Sequence, residues 1–165
     1  MSEIAVRRAL PDDAEGLARV HVRTWQIAYA GLVPQAVLDS LDIAARTTRW
    51  RAILEGLDQQ GRTWVAIEGD EVIGFSSSGP ARGDDPPWPL ELWALYVHPK
   101  RHGSGAGALL ADAALGELPA FLWALEGNAR AIRFYEKIGF ALDGARKDDE
   151  VGGVTLHELR MVRGI

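Results

Sequence analysis

Leu95-Tyr96-Val97-His98-Pro99-Lys100-Arg101-His102-Gly103-Ser104-Gly105-Ala106-Gly107-Ala108-Leu109-Leu110 reads as the end of a strand, a turn, a glycine loop and the start of a helix. The β-rich run from Glu91 to Val97 stops at Pro99, which has no N–H to give a ladder, and an Ala/Leu-rich helical pattern follows the glycines at 103, 105 and 107. Without Cβ atoms the glycines let several backbone N–H groups converge on one anion, and the helix N-terminus adds its dipole and unpaired donors. The spacing predicts a phosphate-binding loop, although Gly-x-Gly-x-Gly alone also fits a simple turn.

Outward toward the C-terminus, Pro119 ends the helix and Ala120 to Leu125 forms the next strand. Asn128 to Phe140 follows as a short amphipathic helix, with Asn128 as N-cap, apolar residues at 131, 134, 135 and 138, and Gly139 as the stop. Phe140 to Val162 has strand-like ends around a polar turn at Asp148 to Gly153, which predicts a closing hairpin.

Toward the N-terminus, Thr63 to Ile67 and Val72 to Phe75 form a hairpin about Gly69-Asp70. A first strand at Ile4 to Ala9 precedes a helix started by Pro11-Asp12-Asp13. Its stripe of Ala14, Leu17, Ala18, His21, Trp25, Ala28 and Tyr29 makes His21 a packed core histidine. Two further helical patterns begin at Pro34 and run from Ala44 to Leu57.

Val97-x-Pro99-x-x-His102-Gly103-x-Gly105-x-Gly107, followed by Asn128-x-x-Ala131-x-x-Phe134-Tyr135-x-Lys137-x-Gly139-Phe140, resembles the GNAT superfamily of acyl-CoA-dependent N-acetyltransferases. Arg23 to Tyr29 and Gly31 to Pro34 resemble the first helical hairpin of a bacterial subgroup, so the likeness covers nearly the whole chain. His102 stands where the family usually has Gln or Arg. Trp123 stands where the N-terminal-peptide branch commonly has a glutamate, which argues against a ribosomal-protein acceptor.

The resemblance implies an α/β (α+β) fold: one GNAT-type domain over residues 1–165, its central mixed, mostly antiparallel sheet containing a parallel splayed strand pair and flanked by helices. It further implies acetyl-CoA as co-substrate, bound by the backbone of Leu95, Tyr96 and Val97, by Gly103, Ser104, Gly105, Ala106, Gly107 and Ala108, and by Asn128 and Tyr135. Tyr135 would assist the departing sulfur. Glu91 would take the proton of a primary amine belonging to a small molecule or peptide. Trp25 and Tyr29 would border the acceptor, with Trp93 beside them. Strict alternation puts Glu91, Trp93, Leu95 and Val97 on one face and Leu92, Ala94 and Tyr96 on the other, and a bland reading leaves Glu91 in solvent at a strand end. A homodimer is a further expectation from the family.

Composition narrows the alternatives. A chain of 165 residues with 25% charged and 47% apolar residues suits one globular domain. Net charge −5 argues against a general nucleic-acid surface and mildly favours a cationic acceptor. Apolar runs are too short for a membrane span, and with no cysteine and no leader pattern the cytoplasm is the expected location. There is no cysteine nucleophile, and the four histidines show no metal spacing, so direct attack without metal is expected. A non-catalytic acyl-CoA-binding member of the same fold is the main alternative. A dinucleotide-binding domain is disfavoured, because its glycine loop comes early and with different spacing.

Overall fold

In the computed structural model, which describes residues 2–57 and 61–164, the elements are β1 (Ile4–Arg8), α1 (Ala14–Ala28), α2 (Gln35–Asp39), α3 (Ile43–Ala52), β2 (Arg62–Glu68), β3 (Glu71–Pro80), β4 (Leu90–Val97), α4 (Ala106–Leu115), β5 (Ala120–Leu125), α5 (Ala129–Lys137), β6 (Ala141–Val151) and β7 (Val154–Arg163). The strands form one sheet in the order β1-β2-β3-β4-β5-β7-β6. Every neighbouring pair is antiparallel except β4 and β5, which the α4 crossover makes parallel. None of the described helices is long and apolar enough to cross a membrane.

The entrance to α1 is fixed by Asp13. Its carboxylate takes two hydrogen bonds from the Arg7 guanidinium, at 2.7 and 2.9 Å, and one from the Leu10 N–H at 2.7 Å. The α1 stripe of Ala14, Leu17, Ala18 and Val20 then packs with Trp50 of α3 on Val65 and Phe75 of the sheet. On the opposite face, Ala106 and Leu110 of α4 pack with Ala66, Ile73 and Val97, while Leu115 joins Leu122, Phe140 and Met161 under α5. The third helical pattern ends earlier than its periodicity suggests, because a π turn at Ile53–Leu57 contains Gly56 at φ 93°.

Two features of β4 position the site. β4 and β5 share one paired position, Glu91 opposite Phe121, so their later residues diverge. In addition, the β3–β4 register shifts between Ser77 and Ser78: Ser77 faces Ala94 and Ser78 faces Leu92, leaving Trp93 as the extra residue of a bulge. The bulge overturns the strict alternation expected from sequence. Leu92 packs in the α4/α5 core, near Leu95, while Ala94 and Tyr96 pack on the α1/α3 side.

Candidate active site

The loop between β4 and α4 has the backbone that its glycines predict. Gly103 and Gly105 adopt φ of 82° and 91°, and Gly105 is the left-handed N-cap of α4, so the N–H groups of the first turn emerge beside an exposed loop, that of Ala106 donating to Ser104 Oγ at 3.3 Å. Gly107 has a different task, since a Cβ there would press within about 3.0 Å of the Phe134 ring of α5. At the other end of the groove the Asn128 carbonyl oxygen caps α5 by accepting from the Ala131 N–H at 3.2 Å. That bond uses only the acceptor half of the amide and leaves its NH2 group for a ligand. His102 Nε2 lies 2.9 Å from the Val97 carbonyl and 3.0 Å from Arg130 Nη1. Burial and the Arg130 charge push this imidazole below its ordinary pKa, keeping it neutral beside the loop.

Tyr135 stands on α5 with its ring against Phe134 and Phe140, at centroid distances of 5.4 and 6.0 Å. Burial, with the nearby Tyr96, pushes the phenol above its ordinary pKa, so it remains a donor at neutral pH. Its hydroxyl makes no hydrogen bond to a described residue.

Across the sheet from α4 lies a cavity of about 460 Å³. The faces of β3 establish the separation: Ser76 and Ser78 donate to the Leu110 and Ala114 carbonyls of α4, both at 3.0 Å, whereas Phe75 and Ser77 line the cavity. The three serines are thus buried and bonded, Ser77 through its hydroxyl 2.9 Å from that of Thr63. Of the expected acceptor-side aromatics, only Trp93 lines this cavity, with Tyr96 as a further wall. Trp25 and Tyr29 stack on each other at 4.6 Å next to it, and Trp25 Nε1 donates to the Tyr96 hydroxyl at 3.2 Å. The Trp93 ring fills the space where side chains at Gly61 and Gly79 would be, since a Cβ at either would collide with it.

Glu91 is neither solvated nor part of the cavity lining. Its side chain is 4% exposed, and Arg82, from the loop before β4, holds it: the Arg82 N–H donates to Oε2 at 2.8 Å and Nη2 to Oε1 at 3.3 Å. The same guanidinium lies 4.8 Å over the Trp93 ring, within cation–π range, and lines the cavity. Sequence reading missed this arginine and also Arg46 and Arg49 of α3. The available signal was two arginines on the same helical stripe as Trp50 and Ile53, a stripe that otherwise faces the core. His21 also lines the cavity instead of lying closed in the core, and burial together with Arg46 and Arg49 lowers its pKa to about 4. Among the described residues no group of three or more His, Cys, Asp or Glu side chains converges.

A parallel pair that parts after one bridge, a glycine loop opening a helix at its end, and a tyrosine-bearing helix beyond define a class. The chain belongs to the acetyltransferase (GNAT) family, which matches residues 24–140, and is an acyl-CoA-dependent N-acetyltransferase. It is 32% identical over 163 residues to the uncharacterized N-acetyltransferase YuaI of Bacillus subtilis (strain 168), covering 94% of this chain and 90% of that protein. It is 26% identical over 151 residues to the peptidyl-lysine N-acetyltransferase YjaB of Escherichia coli (strain K12), covering 90% of each. The crystal structure of PaiA N-acetyltransferase from Thermoplasma acidophilum in complex with coenzyme A matches with a TM-score of 0.70 at 20% identity, over 99% of each chain.

Proposed function

We propose that the protein transfers an acetyl group from acetyl-CoA to a primary amine by direct attack in one ternary complex. The observation that carries this reading is the divergence of β4 from β5 after Glu91, between the glycine loop and Tyr135 on one side and the cavity on the other. The loop amides and the α4 N-terminus bind the donor's phosphates, and the free amide NH2 of Asn128 orients its pantetheine arm together with the β4 edge that β5 leaves open along Leu95, Tyr96 and Val97, where the Val97 carbonyl already meets His102 Nε2. The acceptor occupies the cavity against Trp93 and Tyr96.

Glu91 receives the ammonium proton through water. Arg82 places only one bond on Oε1, so a lone pair remains there for a bridging molecule. The amine nitrogen attacks the thioester carbonyl; as the C–S bond breaks, Tyr135 donates from its unpartnered hydroxyl to the sulfur that leaves as thiol, and the second proton, shed by the nitrogen as it becomes an amide, restores the phenol. Trp25 and Tyr29 support the cavity wall by holding Tyr96. The reading includes a cytoplasmic homodimer.

Calorimetric titration with acetyl-CoA and NAD, followed by thiol release against a panel of amines, tests the proposal. Acetyl-CoA binding together with amine-dependent release supports it. Binding without release for any amine identifies a non-catalytic acyl-CoA binder, and NAD binding in place of acetyl-CoA overturns the donor assignment.

A further inference from the structure

The charge of the cavity is opposite in sign to that of the chain as a whole. Arg46, Arg49 and Arg82 line it, and no described carboxylate does. Arg82 is matched by Glu91, but among the described residues no carboxylate pairs with Arg46 or Arg49. Burial and the charge of Arg49 hold the Arg46 guanidinium below its ordinary pKa, which means that the half-buried cation is under-compensated.

Two buried nitrogens of the same wall, Trp50 Nε1 and His21 Nδ1, have no hydrogen-bond partner, and Trp50 is only 8% exposed. Buried polar atoms without partners are rare, and these two leave the wall behind the arginines polar and uncompensated. The remaining wall is aromatic, from Phe75, Trp93 and Tyr96. The donor's diphosphate does not account for these cations, because the glycine loop and α4 lie on the other face of the sheet.

Resting on the acetyl-transfer reading above, we infer that the acceptor is an amine bearing a carboxylate on an apolar or aromatic body, with Arg46 and Arg49 binding the carboxylate. The guanidinium forks match a carboxylate's geometry, and the aromatic walls cover the body. The same cations act on the reacting nitrogen: a positive field disfavours ammonium and eases loss of its proton. Polyamines bring extra cations with no described carboxylate in the cavity to meet them, and a lysine side chain brings no carboxylate for the two arginines, so the site selects against both.

The test uses matched pairs that differ only by the carboxylate: phenylalanine against phenethylamine, and leucine against 3-methylbutylamine, with spermidine and a lysine peptide as cationic probes. The acid of each pair is expected to exceed its twin at least tenfold in kcat/KM. Arg46→Gln and Arg49→Gln are each expected to erase that preference through KM, with affinity for acetyl-CoA checking that the variants fold. Preference for the twin, spermidine or the peptide overturns the inference, as does a preference for the acid that both variants retain.

Should no amine be acetylated, N-acetylphenylalanine and N-acetylphenethylamine are titrated into the CoA-saturated protein. At least tenfold tighter binding of the acid, lost in Arg46→Gln, supports the anion site while the acetyl-transfer reading falls. Equal binding overturns the anion site.

Discussion

Arg82 holds Glu91 from two directions, with its backbone N–H on Oε2 and its guanidinium across both oxygens, Nε on Oε2 and Nη2 on Oε1. Substitution at position 82 removes the cation and keeps the backbone bond, so the two contributions separate. Glu91→Gln is expected to lower kcat by about 10²-fold and to abolish the acidic limb of the pH–rate profile. Arg82→Gln is expected to lower kcat by about tenfold, less than Glu91→Gln, since the carboxylate keeps its backbone bond and loses only the guanidinium that orients it. An unchanged acidic limb in Glu91→Gln removes Glu91 as the proton acceptor.

Tyr135→Phe deletes a hydroxyl that bonds to no described residue while keeping the ring between Phe134 and Phe140. Thermal stability is expected to stay within about 0.5 kcal/mol of the parent. Turnover is expected to fall about 10²-fold with acetyl-CoA affinity nearly constant. Equal turnover in steady-state assays leaves the tyrosine a packing residue.

Gly105 and Gly31 form a controlled pair. Both have positive φ, 91° and 80°, and a Cβ at either meets nothing within 4 Å, so Ala substitution costs backbone strain of about 1–2 kcal/mol at each. Only Gly105 begins α4. Gly105→Ala is therefore expected to weaken acetyl-CoA at least tenfold, whereas Gly31→Ala lowers the melting temperature alone. Calorimetry and thermal melts on the two variants check the difference.

Asp13→Asn tests the start of α1. The carboxylate is held below its ordinary pKa: burial acts upward, but the hydrogen bonds from Arg7 and the Leu10 N–H outweigh it. A depressed folded value gives stability that is present above the unfolded pKa of about 3.9 and is lost as pH falls through the folded one. Discounted for the exposure of Arg7, the substitution is expected to cost about 1–2 kcal/mol at pH 7 in urea titrations. The variant should lose less stability than the parent between pH 5 and pH 2.5, and equal losses contradict the assignment.

Much of the order of elements was legible because it is written locally. Pro99, Gly103 and Gly105 end a strand and open a helix through their own backbone preferences, and Asn128 and Gly139 bracket α5 in the same way. The faces of β4 were not legible past Trp93, because the bulge depends on how β3 pairs with it. The environment of Glu91 was hidden for a related reason: its partner lies in a loop that no periodicity describes. Arg46 and Arg49 were visible only as breaks in a helical stripe, and their meaning required the cavity wall opposite them.

Trp93 occupies volume that belongs, by strand geometry, to Gly61 and Gly79. Positions 61, 79 and 93 therefore behave as one epistatic unit: with the indole present a side chain at either glycine collides with it, and with it truncated the remaining close contacts are backbone ones at 3.1 Å, the Ser78 carbonyl for position 61 and the Gly61 Cα for position 79. A library built to change acceptor range has to vary the three together, because the indole is the nearest obstacle at both glycines and a substitution at either is informative only once position 93 has changed.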